Sequence, residues 1–238
     1  MASRNAAFHD GVLAGVLMSP LKLLLMLALG LLAILVVAWC IDWIFVFKVW
    51  PDGVDRLRAL LASDLEHGAQ LAARQGYATS STGAVANLLY AIVFEATGIH
   101  DMGLRFADPS ATLSIPDTIV RGGYVAHRDA IEAAMIGTQL LGVRIATLVR
   151  FAPLLALLYL AGTADGLAQR AIRRAGGGRE SASLYHRAKY LQVTLLALGT
   201  VTLLVWPGAV AWQPYATLLV LGTAALARLQ WTFYKKHL

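Results

Sequence analysis

The chain has 238 residues, of which 58% are apolar and 14% charged, and its mean hydropathy is +0.63. A soluble domain carries about 25% charged residues, so this composition excludes a water-covered globule and predicts an integral membrane protein. The excess of 20 Lys and Arg over 14 Asp and Glu gives +6, which in a membrane protein reflects loop topology before it implicates a ligand.

Residues 1–22 read as a polar-to-mixed leader with no small-x-small cleavage site behind the apolar run, so this segment is expected to stay in the chain. Leu23 to Ile41 contains no charge and at 1.5 Å per residue spans the roughly 30 Å of hydrocarbon. It founds a first span over 23–47. Trp39, Trp43, Phe45, Phe47 and Trp50 at its far end read as an interfacial belt. Cys40, the lone cysteine, excludes an internal disulfide, and Trp39 directly before it disfavours lipidation.

Residues 48–144 are long enough for a small outer domain. Asp52 offers a cap for a helix with Val54, Leu57, Leu60, Leu61, Leu65 and Leu71 on one side, and Asp55, Arg56, Arg58, Asp64 and Glu66 on the other. Ser80, Ser81 and Thr82 open a second helix. Its apolar run Ala84 to Phe94 is too short to cross and reads as buried or re-entrant. Asp108-Pro109 and Ile115-Pro116 punctuate an irregular stretch, after which Asp117 to Val143 resumes helical spacing and leads straight into a second span, 145–164. A third span covers 190–206 and ends at Pro207-Gly208. A turn at 207–214 returns the chain through a fourth span, 215–234, before a short 235–238 tail. The expected fold is all-α, with four transmembrane helices and a helical periplasmic domain between spans one and two.

Charge alternates as four spans require: +1 over 1–22, −2 over 48–144, +4 over 165–189 and +3 over 228–238. Positive segments stay inside, so both termini and the 165–189 loop are expected in the cytoplasm.

That loop carries the most distinctive pattern. Arg170, Arg173 and Arg174 stand at i, i+3 and i+4 on one side of a helix leaving the membrane, Gly176-Gly177-Gly178 ends it, and Ser181 or Ser183 can start the returning helix. The plain explanation is that these cations hold the loop in the cytoplasm and meet anionic lipid headgroups. A sharper one adds a partner, an acidic protein face docking on a hairpin formed by Arg170, Arg173, Arg174, Arg179, Glu180, Tyr185, His186 and Lys189. Direct nucleic-acid binding is disfavoured, because one short patch makes few phosphate contacts and has few rings for stacking.

The run Gly166-Leu-Ala-Gln-Arg170 through Arg173-Arg174-x-Gly176-Gly177-Gly178-Arg179-Glu180-Ser181, followed by Tyr185-His186 and Lys189, resembles the central signature of the integrating conjugative element membrane protein family. The single amino-terminal span, long outer segment and closing hairpin share its layout. The resemblance implies a bacterial inner-membrane accessory of conjugative DNA transfer, acting with the coupling-protein ATPase and the type IV secretion channel. It supplies no catalytic residues.

Other chemistry lacks a pattern. The six histidines are scattered without metal-ligand spacing, the triglycine run lacks the Gly-Lys-Ser/Thr ending of a phosphate loop, and no Gly-x-Ser-x-Gly elbow occurs, so neither an enzyme nor a cofactor is expected. Asp42 and Arg150 lie in or near the apolar zone. They could reach water separately, pair across spans one and two, or line the path of a small transporter or channel component, which is the alternative function. Gly162-x-x-x-Gly166 would let another helix approach span two closely, and self-association stays open.

Overall fold

The computed structural model describes residues 2–107, 115–177 and 182–234. Among these residues the protein is entirely helical, with no strand. Helix α1 (Ala2–Ile44) closes in a π-helical turn, Phe45–Val49, and is followed by α2 (Val54–Arg74). Helix α3 (Ser81–Tyr90) also runs into a π turn, Ala91–Glu95, and precedes the short helices α4 (Ile99–Ala107) and α5 (Ile115–Ala126). Helix α6 (Arg128–Ala175), α7 (Ala182–Val205) and α8 (Trp212–Thr232) complete the bundle.

The 48-residue α6 is the axis of the molecule. Its first half is buried from Ala133 to Thr147 beneath α1, α2 and α3, and its second half runs beside α8. Small residues set these approaches. A Cβ on Gly142 would lie 2.5 Å from the Ala86 Cα of α3, and one on Gly68 of α2 would meet the Thr82 methyl at 2.7 Å. The carboxy-terminal end of α1 is fixed to α6 by indole donors, Trp39 Nε1 to Thr138 Oγ1 at 3.0 Å and Trp43 Nε1 to the Ala130 carbonyl at 2.8 Å. These two rings therefore act as helix-packing groups.

Three helices are long and apolar enough to cross a membrane: Pro20–Val49, Arg128–Ala175 and Ser183–Val205. Helix α8 does not reach that apolarity, since Gln213, Arg228 and Gln230 dilute it. The Ser81–Glu95 segment meets α4 at 77°, a geometry of a broken span or re-entrant loop. Gly98, at φ 75°, supplies the left-handed residue at this bend, and the Tyr90 hydroxyl lies 2.7 Å from His100 Nδ1 across it.

Two expectations change. The 117–143 helix is broken at His127, between α5 and α6, although α6 then continues unbroken through the second apolar segment. Asp64, placed on the polar side of α2 by its neighbours, belongs to the buried stripe Leu57, Leu60, Asp64, Gly68 and Ala72. Leu65, by contrast, is only half-buried. Asp108-Pro109 lies outside the described residues.

Candidate functional site

The end of the bundle holding the α6–α7 connection gathers cations and rings from three helices. Arg170 and Arg173, one turn apart on α6, face the chain leaving α8: the Arg170 guanidinium lies 5.1 Å from the Tyr234 ring centroid and that of Arg173 lies 3.8 Å from Phe233. Tyr234 also packs against Trp231 at 5.3 Å and, edge-on, against Tyr185 of α7 at 5.5 Å. Tyr185 continues to His186 at 5.2 Å, and His186 stacks near Tyr190 at 6.5 Å. Each cation held over an aromatic face gains about 0.5–1 kcal/mol where exposed and more where desolvated, so the cluster ties the end of α8 to the connection between α6 and α7.

Of the hairpin residues expected to meet a partner, Arg170 and Arg173 are thus half-buried against the chain's own aromatic residues, whereas Arg174, His186 and Lys189 are exposed. Arg187, not singled out from the sequence, is exposed beside them. Arg179 and Glu180 lie outside the described residues. Below the cluster, Arg228 of α8 pairs with Asp165 of α6.

Gly162 and Gly166 sit where α6 and α8 come closest. A Cβ on Gly162 would collide with the Ala224 carbonyl oxygen, and one on Gly166 would lie 2.5 Å from that of Arg228. The two glycines thus leave room for the backbone of α8.

Asp42 and Arg150 do not form an ion pair. Asp42 is buried at the α1–α6 contact with its carboxylate against the Cα of Gly137, while Arg150 donates to the Gly68 carbonyl at 2.9 Å and to Ser81 Oγ at 2.7 Å.

The buried ion pair is elsewhere and was not anticipated. Arg144, 1% exposed, donates through Nε to Asp64 Oδ2 at 3.0 Å. Its terminal nitrogens reach the last carbonyls of α7 and its exit: Leu203 at 3.4 Å, Leu204 at 3.3 Å, Trp206 at 2.5 Å and Gly208 at 3.0 Å. A cation at a helix C-terminus satisfies carbonyls that have no partner within the helix and opposes the negative end of its dipole. Burial pushes the Asp64 carboxyl above its ordinary range and the Arg144 guanidinium pulls it back. The sequence offered one signal, at Arg144 alone: its neighbours three and four residues away, Leu140, Leu141, Thr147 and Leu148, are apolar or small.

Among the described residues no group of three or more His, Cys, Asp or Glu is placed to hold a metal. The structure therefore defines an all-helical protein with three helices suited to a membrane and a basic, aromatic-clasped end. Residues 49–233 match the model of the DtrJ-like family, described as IncC plasmid conjugative DNA transfer protein DtrJ-like. The chain belongs to that family, and its role is in conjugative DNA transfer. No curated protein and no solved structure matches it.

Proposed function

We propose that the protein is a noncatalytic accessory subunit of conjugative DNA transfer in the bacterial inner membrane, offering its basic end to the coupling-protein ATPase or to a subunit of the type IV secretion channel. In this reading α8 is a fourth span shielded by α6, both termini and the α6–α7 connection are cytoplasmic, and residues 48–144 form a periplasmic helical unit. Support comes from the family, from the alternation of loop charge, and from the layout shared with membrane proteins of integrating conjugative elements.

One observation carries the docking site. The chain's own Phe233 and Tyr234 occupy the inner side of the arginine row, which stiffens the end of the bundle and leaves Arg174, His186, Arg187 and Lys189 facing outward. A preordered cationic face of this kind suits an acidic protein surface and steers its approach. Exposed charge pairs contribute up to about 1 kcal/mol each, so Arg187→Gln combined with Lys189→Gln should lower transfer frequency by roughly tenfold while membrane insertion is unchanged. Wild-type transfer by the inserted double variant would refute this docking face.

A further inference from the structure

At the opposite end of the bundle, two adjoining cavities surround the start of α8. One is a crevice of about 260 Å³, whose α2 wall is formed by His67, Gln70, Leu71 and Arg74 at helical spacing and whose other wall is formed by 210–214. The second is an apolar groove of about 410 Å³ between the end of α7 and the first turns of α8, lined by residues that include Trp206, Tyr215 and Leu218. The two share Val210, Ala211 and Pro214, so they adjoin along this segment. Trp206 is 52% exposed and Leu218 66% exposed, leaving the groove open along its apolar side.

The chemistry of the crevice selects an anion. Arg74 brings a permanent cation, and no carboxylate lines the walls: on α2, Asp64 is buried against Arg144 and Glu66 accepts a hydrogen bond from the Gln70 amide at 3.2 Å. Helix α8 begins at Trp212 without a side-chain cap, so its first amides add uncompensated donors to the same wall. Trp212 itself is 4% exposed, and its indole N–H has no acceptor within the protein. The groove lies at the end of α7, one of the helices suited to crossing a membrane, which is the depth at which phosphate headgroups meet acyl chains.

We propose that this composite site binds one anionic phospholipid, its phosphate against Arg74 and the first amides of α8 and an acyl chain along the groove beneath Trp206. The inference goes beyond the docking face at the other end of the bundle and rests on the membrane-embedded reading of α7. A neutral or purely polar ligand would leave the groove unfilled. A purely apolar ligand would leave the arginine without a counter-ion.

The test places the full chain in nanodiscs containing equal amounts of phosphatidylglycerol and phosphatidylethanolamine, then releases it for native mass spectrometry. The wild-type protein is expected to retain a single phosphatidylglycerol molecule in preference to phosphatidylethanolamine. Arg74→Gln, an exposed position whose change leaves the fold intact, should reduce that adduct about tenfold, the worth of one charge-assisted hydrogen bond. Ala209→Trp, which fills the groove, should remove adducts of both lipids, and Lys189→Gln at the far end should change nothing. Equal retention of the two lipids, or an undiminished adduct in Arg74→Gln, overturns the site. Failure of the wild-type chain to enter nanodiscs would instead contradict the membrane-embedded reading.

Discussion

Arg144 shows how a single side chain can join three elements that are distant in sequence. Its guanidinium meets Asp64 of α2, with both side chains buried, and four carbonyls at and beyond the end of α7. Removing one partner of a buried pair strands the other charge, at a cost of about 3–5 kcal/mol. Arg144→Leu should therefore lower the thermal unfolding midpoint in detergent sharply, and adding Asp64→Leu should recover part of the loss. A double variant as unstable as the sum of the single ones would show that the pair is not coupled. Arg150→Gln gives up only hydrogen bonds to Gly68 and Ser81, so a smaller loss is expected by the same measurement. The sequence drew attention to Asp42 and Arg150 because they interrupt long apolar runs. It hid Asp64 and Arg144 because the first sits among other charges and the second at the edge of a run. Their meaning comes from a neighbour 80 residues away, which local spacing cannot disclose.

At the scale of elements, α6 organises the bundle by changing its neighbours along its length. Its first half needs small residues beneath α3, and its second half uses Gly162 and Gly166 to admit α8. The glycine pair was legible from the sequence, since its i, i+4 spacing states the requirement within one helix. Which helix approaches it was not. Gly162→Leu and Gly166→Leu push side chains into the backbone of α8 and should each destabilise the protein by about 1–3 kcal/mol, whereas Gly30→Leu, with nothing within 4 Å, should leave the unfolding midpoint unchanged. Equal midpoints for all three would separate α8 from α6. The end of α8 adds a second attachment through Phe233 and Tyr234. Phe233→Ala with Tyr234→Ala should loosen this end, raising hydrogen exchange in the last turns of α6 and α8 while the Arg144 region stays protected. Uniform exchange across both regions would deny the clasp a local role.

For the whole molecule, composition pointed to a membrane protein and the spacing to helices; the helical fold is observed among the described residues, and three helices long and apolar enough to cross a bilayer are compatible with the membrane reading. The count of spans was harder, because α8 combines an apolar face with polar residues that make sense only beside α6, while the bent segment from Ser81 to Ala107 joins two helices neither of which is long enough alone. A reporter fused near residue 100 should appear outside the cytoplasm, and one fused at the carboxy terminus inside it. The opposite pairing would invert the proposed topology. Of the hairpin, the row of cations was plain from its spacing, but the division into an inner side clasped by aromatic rings and an outward side was not, since the rings arrive from the far end of the chain.

The most direct test of the accessory-subunit account places a photocross-linking amino acid at Lys189, in cells that carry the native transfer genes, and identifies the captured species by mass spectrometry. The account predicts a cross-link to the coupling-protein ATPase or a secretion-channel subunit, lost when Arg187 and Arg174 are replaced by Gln. Cross-links to lipid alone, in cells that transfer DNA normally, would contradict it.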